Sequence, residues 1–134
     1  MDGEYPRELR YTDEHEWLRL PEENDPERVV TVGITAHAQS ALGDIVYLEL
    51  PKPGAELRQG QPFGTVESVK SVSDLYAPAS GRVVAVNIEL GDHPEYVNEE
   101  PYGRGWIIRL ALSDPDELGQ LLDAETYQHG VGQI

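Results

Sequence analysis

The chain of 134 residues has no cysteine. That absence excludes disulfides, thiolate metal sites and a cysteine nucleophile. Lysine is nearly absent too: Lys52 and Lys70 stand against eight arginines, so guanidinium groups carry most of the positive charge. Cations of both kinds are few, 10 Lys and Arg against 25 Asp and Glu, for a formal net charge of −15. Such a surface repels phosphate backbones and anionic lipid, which argues against nucleic-acid and membrane partners. It favours solubility and steering toward basic protein surfaces, although a general preference for acidic proteins in the source organism accounts for it equally well. Long apolar runs are missing, and no stretch nears the roughly 18 consecutive apolar residues of a spanning helix. The N-terminal MDGEYPRELRYTDEHEW has neither the apolar segment of a secretory signal nor the acid-poor, Arg- and Ser-rich character of a transit peptide. The expectation is a cytoplasmic or already processed protein, with residues 1–134 forming a single domain.

Catalytic constellations are also missing. The histidines are His15, His37, His93 and His129. No two have helical metal-ligand spacing, so each is expected to be a surface or structural residue. Paired carboxylates can drive acid–base chemistry, but with 25 of them chance pairs are expected and a solvated acidic surface is the simpler reading. There is no nucleophile elbow and no phosphate-cradling loop. Gly103-Arg104-Gly105 is not followed by dinucleotide-site spacing. The chain is expected to have no active site of its own.

What is present is a series of short β segments. Tyr11–Leu20 reads as a strand with Trp17 inward, after a loose leader or edge segment over residues 1–10. PEENDPE at 21–27 is a turn-rich acidic loop. Arg28–Ile34 is β-branched and reads as a buried strand. Thr35 is placed to cap a short helix, AHAQSAL, ended by Gly43. Asp44–Leu50 alternates and reads as a strand. Lys52, between two prolines, reads as a solvated charge in a rigid turn. PGAELRQGQPFGTVES and APASGRVVAVNIELGD share a layout of turn, strand, turn and acid, which suggests two related β units in a small barrel or sandwich. Residues 91–105 are turn-dense, with room for one helical turn, and Trp106–Leu110 reads as a last strand. Asp114-Pro115-Asp116-Glu117 has the cap, proline and third-position acid of a helix start, for a helix to about Leu122. A second short turn of helix is expected within Asp123–Gln128.

The organising stretch is Phe63–Pro78, FGTVESVKSVSDLYAP. It exceeds an ordinary strand of about 5–6 residues, so it reads as a hairpin with its tip near Val69-Lys70. Hairpin tips usually recruit Asn-Gly or Asp-Gly, and Val-Lys-Ser offers no such help. A lysine presented at a rigid tip, on a chain without catalytic residues, suits a carrier whose attached cofactor does the chemistry. For an arbitrary turn lysine, solubility of the tip is the ordinary explanation.

The sequence resembles the H protein family of the glycine cleavage system over nearly its whole length. The matching blocks are HEW (15–17), VGIT (32–35), AQSALGDIVYLELP (38–51), ESVKSVSDLYAP (67–78), SGRVVAVN (80–87), PEYVNEEPYGRGW (94–106) and LLDAETY (121–127). ESVK followed by SD and P is specific to this family, whereas other lipoyl domains present Asp-Lys-Ala and biotinyl domains Met-Lys-Met. The resemblance implies a mostly β barrel-sandwich hybrid, lipoyl/biotinyl-like, with a short internal helix and C-terminal helices. It implies lipoate attached to Lys70 as an amide. It implies as partners a pyridoxal-phosphate glycine decarboxylase (P protein), a tetrahydrofolate-dependent aminomethyltransferase (T protein), a dihydrolipoyl dehydrogenase (L protein) and lipoylating enzymes. Glu67 becomes a candidate for recognition by the lipoylating enzyme, with a solvated strand charge as the equal alternative. Asp74 and Glu16 become candidates for holding the ammonium of a loaded arm, against the ordinary reading of surface charge. The family's Asp after the GIT block is Ala36 here, and Ser71 follows Lys70 where Ala is common. An H-like relay passing lipoyl or octanoyl groups to other proteins would share all these residues. An unmodified acidic adaptor on the same fold is the remaining reading.

Overall fold

The β-branched run Val29–Ile34 forms the strand around which the larger sheet is built, with Val30, Val32 and Ile34 buried on its inner face. The structure is a computed structural model and describes residues 5–132. In chain order the strands are β1 (Leu9–Tyr11), β2 (Glu16–Arg19), β3 (Val29–Ile34), β4 (Ile45–Glu49), β5 (Glu56–Leu57), β6 (Pro62–Ser68), β7 (Val72–Tyr76), β8 (Gly81–Val86) and β9 (Ile108–Leu112). The helices are α1 (Ala36–Leu42), α2 (Tyr96–Glu99) and α3 (Ala124–Gly132), with 3₁₀ turns at Ile88–Gly91 and Pro115–Gln120. One sheet has the order β1-β2-β3-β9-β8-β5 and the other β4-β6-β7, and every pairing is antiparallel. Among the described residues no helix is long and apolar enough to cross a membrane.

The two sheets share a core. Leu18, Val32 and Leu110 from the larger sheet belong to one buried cluster with Ile45, Phe63, Val66 and Leu75 from the smaller one. A second cluster, Leu9, Tyr11, Trp17, Ala124 and Tyr127, lies between the β1–β2 hairpin and α3. Trp17 pairs across the strands with Gly33. A Cβ on Gly33 would lie 2.6 Å from the indole, so only glycine lets the ring lie flat on β3. The indole N–H donates to the Pro101 carbonyl at 2.9 Å, which satisfies the polar edge of a fully buried ring.

Several sequence expectations hold. Thr35 Oγ1 accepts from the Ala38 N–H, and Gly43 ends α1 with φ +82°. Replacing the family's Asp by Ala36 leaves that cap intact, and the Ala36 N–H instead donates to the Tyr102 hydroxyl. The hairpin, its tip and the helical turn in residues 91–105 stand where expected. Lys52 is exposed in its turn.

Others are corrected. Tyr11–Leu20 is not one strand. It breaks at Thr12–His15, where His15 takes φ +71° and the chain folds back so that β1 pairs with β2. The edge segment expected in residues 1–10 is met by β1, and residues 1–4 lie outside the described ones. β4 does not alternate cleanly: a register shift between Ile45 and Tyr47 leaves Val46 and Tyr47 both exposed, as a bulge does. The two look-alike segments are not repeats, since the first holds β5 and β6 and the second holds β8 and a 3₁₀ turn, with β5 pairing to β8. The last strand starts at Ile108, two residues late, because Ile107 N–H is taken by the Val32 carbonyl outside the ladder. The helix after Asp114 is a short 3₁₀ turn. Glu117 does not close a capping box; it accepts from the Ser80 N–H and Oγ–H at 2.6 and 2.8 Å. The final helix is longer than expected, Ala124–Gly132, because Tyr127 anchors it in the second cluster.

Candidate site at the hairpin tip and the groove behind it

The tip is built without a left-handed residue, since none of the positive-φ residues falls between Ser68 and Ser71. Ser68 does the work of a turn-former. Its N–H donates to the Ser71 carbonyl at 2.8 Å, and its buried Oγ accepts from the Lys70 and Ser71 N–H groups at 3.3 and 3.1 Å. A second brace comes from outside the hairpin: Val69 N–H donates to the Asp44 carbonyl at 3.1 Å. This resolves the missing turn chemistry, because a serine hydroxyl and a neighbouring carbonyl replace Asn-Gly. Ser68→Ala is expected to cost about 1 kcal/mol in urea denaturation, with faster amide exchange at Lys70 and Ser71.

Lys70 is exposed, and its stem crosses the end of α1. The Cβ that Gly43 lacks would lie 3.6 Å from Lys70 Cε. A groove of about 330 Å³ lies between α1 and β7 and reaches the β1–β2 turn, lined by Leu42, Ala38 and His37 on one wall and by Asp74 and Leu75 on the other. His37 to Gly43 is six residues, roughly 9 Å along the helix.

At the far end are Glu16 and His15. Glu16 is 2% exposed, which overturns the surface-charge reading. Thr12 Oγ–H donates to its Oε1 at 2.7 Å and the Tyr76 N–H to its Oε2 at 3.1 Å. Burial pushes its carboxyl up to about 7, and the two hydrogen bonds offset only part of the shift. No lysine or arginine among the described residues pairs with it. A carboxylate with two donors, no cation and an open groove beside it can receive an ammonium group. Asp74 is exposed on the groove wall, and Glu67 is exposed on the outer face of β6.

His15 is half-buried and shares a 2.7 Å hydrogen bond between Nδ1 and the Tyr127 hydroxyl, which in turn lies 2.8 Å from Thr35 Oγ1. Its ring sits 4.6 Å from that of His37, tilted by 42°. Burial, and then the neighbouring His37, hold its pKa below the usual histidine range. The pair is 22 residues apart in sequence, so no spacing rule signals it. Tyr127 gave no signal either. Buried Glu16 gave only a misleading one, since β2 is covered on both faces and does not alternate.

Among the described residues, four of the five large apolar side chains that stand exposed lie at or near the tip: Val46, Tyr47, Val69 and Val72. Tyr47, Glu67 and Val72 form a row across the outer face of the smaller sheet. Such a concentration beside a presented lysine marks an interaction surface.

The profile of the glycine cleavage H-protein family matches residues 9–134. The chain belongs to that family. The glycine cleavage system H protein of Geobacillus kaustophilus is 58% identical over 128 residues, spanning 96% of this chain and 97% of the relative. That of Staphylococcus epidermidis (strain ATCC 12228) is 51% identical over 128 residues, spanning 96% and 98%. The crystal structure of a glycine cleavage system H protein from Mycobacterium marinum superposes with a TM-score of 0.86 at 41% identity, covering 95% of this chain and 98% of that one. The fold is therefore the mostly β barrel-sandwich of the glycine cleavage H proteins, with its short helices.

Proposed function

We propose that this chain is the lipoyl-bearing carrier of a glycine cleavage system, with lipoate joined to Lys70 as an amide. The observation that carries this reading is the exposed Lys70 on a braced tip beside the end of α1, on the same hairpin whose β7 walls a groove holding the buried Glu16 carboxyl without a cation partner. When bound, lipoate supplies a disulfide that takes up the aminomethyl group of glycine and is reduced in doing so. The protein's own part is to present, shelter and release. The tip presents the lysine to several enzymes in turn. Glu16, with Asp74 on the wall, offers anionic oxygens to a primary ammonium. Tyr47, Val69 and Val72, with Glu67 among them and Asp44 and Glu49 beside them, offer an apolar surface carrying acidic charge to enzymes with basic patches. The P protein would load the carrier, the T protein unload it to tetrahydrofolate, and the L protein restore the disulfide. Tethering keeps the one-carbon unit at high local concentration near whichever enzyme is docked.

A relay that hands on uncharged acyl groups has no use for a buried carboxylate in its groove, so Glu16 favours the aminomethyl carrier. Reconstitution tests this. The lipoylated protein with P protein and glycine is expected to gain one methylamine equivalent by intact mass, and to support tetrahydrofolate-dependent ammonia release once T protein is added. Full lipoylation with no glycine-dependent gain would sink the reading.

A further inference from the structure

We infer that Asn98, on α2 and away from the groove lining, is the positioning residue for Lys70. The inference rests on the proposed role of Lys70 and concerns how the fold holds it in place. Both ends of the Asn98 carboxamide are engaged with the link between α1 and β4. Its Oδ1 accepts from the Ile45 N–H at 2.9 Å. Its Nδ2 donates to the Gly43 carbonyl at 2.8 Å and to Gln39 Oε1 at 3.0 Å. Between the two anchored residues lies Asp44, whose carbonyl receives the Val69 N–H of the tip. Gly43 itself lies beneath the Lys70 stem. One side chain thus ties down both residues flanking the carbonyl that braces the tip.

The mount behind Asn98 is rigid. Val97 is fully buried in the main core. A Cβ on Gly105 would come within 2.6 Å of the Tyr96 carbonyl oxygen and 2.8 Å of the Val97 Cα, so the 101–106 turn is pressed against α2. Asn87 Nδ2 ties that turn to the larger sheet through the Arg104 and Trp106 carbonyls at 2.8 and 2.7 Å. Position is transmitted from core to α2, from Asn98 to residues 43–45, and from Asp44 to Val69 and Lys70. Each link is a hydrogen bond or a packed backbone. Without the carboxamide, the Gly43 carbonyl and the Ile45 N–H lose these partners, and the link is free to shift with the tip it supports. Glu67 and Val72, on strands held by their own β6–β7 ladder, keep their places on the outer face.

The test uses the unmodified full-length protein. In Asn98→Leu, amide exchange at Val69 is expected to rise roughly tenfold as its acceptor loosens, while Val83 and Leu110 keep their protection. With lipoate, ATP and a lipoate ligase, kcat for acylation of Lys70 is expected to fall about tenfold, the scale of a small misplacement of a reacting atom. KM should change less than kcat, since Glu67 and Val72 of the docking face stay held by the β6–β7 ladder. Asn98→Asp, which keeps the acceptor and loses the donors, should fall between and serves if the leucine variant does not fold. Ser80→Ala, which removes the hydrogen bonds its hydroxyl donates to Glu117 and accepts from the Gln59 N–H, away from the tip, should leave Val69 exchange and kcat as in wild type. The inference is overturned if Val69 exchange in the Asn98 variants matches wild type, or if Ser80→Ala reproduces both changes. Because the exchange measurement needs no lipoate, failure of wild-type acylation would count against the proposed function while leaving Asn98 judged on Val69.

Discussion

Lys70→Arg leaves the protein folded and removes its capacity to be loaded. Incubated with lipoate, ATP and a lipoate ligase, the wild type gains the mass of one lipoyl group, and the variant gains none. In a reconstituted system its glycine-dependent turnover falls to the level seen without carrier. Acylation needs a nitrogen lone pair. A lysine amine gains one on losing a proton, whereas a guanidinium stays protonated with its lone pairs delocalised. The substitution keeps charge and approximate length, so the tip is not perturbed electrostatically. Its turn is built from Ser68, Ser71 and the Asp44 carbonyl and not from the Lys70 side chain. Stability should therefore stay within about 0.5 kcal/mol, as for other exposed positions. Lys52 is the internal control. It is also exposed, but it lies in a Pro-bounded turn and not at a hairpin tip. Lipoyl mass persisting in Lys70→Arg would move the attachment site to Lys52 and overturn the assignment.

Glu16→Gln raises stability at pH 8 and flattens its pH dependence. Burial raises the carboxyl from 4.5 to about 7 in the folded protein. Below about pH 4.5 the group is protonated in both states and makes no difference. Between pH 4.5 and 7 the unfolded chain releases the proton while the folded chain retains it, so stability falls as pH rises. Above pH 7 the full cost of a buried charge remains, on the order of 3–4 kcal/mol at about 1.4 kcal/mol per pKa unit. Glutamine keeps a carbonyl for the Tyr76 N–H and gives up the Thr12 bond, since the Thr12 hydroxyl already accepts from the Glu14 and Glu16 N–H groups; that loss, about 1 kcal/mol, is smaller than the charge cost removed. Urea denaturation at pH 5, 6, 7 and 8 should show the gap between variant and wild type opening across this window and then levelling off. A constant gap from pH 5 to 8 would remove the perturbed carboxyl. The same variant should hold a methylamine-loaded arm less well, because a neutral amide offers an ammonium no charge partner. A gain in stability with a loss of shelter is the usual exchange at a binding site.

Glu16 also shows where sequence reading stopped. In HEW it sits between a histidine and a tryptophan and looks like a surface acid. It is buried because β2 has β1 and β3 on either side, while the β7 end closes over it through the Tyr76 N–H. No local pattern encodes a contact spanning 60 residues. Glu117 is a second case: the spacing from Asp114 fits a capping box, yet Ser80 offers two donors and takes the carboxylate. His15 and His37 meet for the same kind of reason, through the β2–β3 pairing and the start of α1.

The elements read correctly are those decided within a few residues. Thr35 caps α1 with its own hydroxyl, Gly43 ends it with a backbone conformation other residues avoid, and a stretch too long for one strand folds back as a hairpin near Lys70. Their physics is local, so neighbouring residues suffice to reveal it. By itself, then, the sequence determined the family, the hairpin and the lysine at its tip. Only the tertiary structure decided what surrounds that lysine: the groove along α1, the buried Glu16 at its end, and the Asn98 clamp on the link beneath the tip. Those features arise from desolvation and hydrogen bonds between segments far apart in the chain, and they exist only once both sheets have closed on a common core.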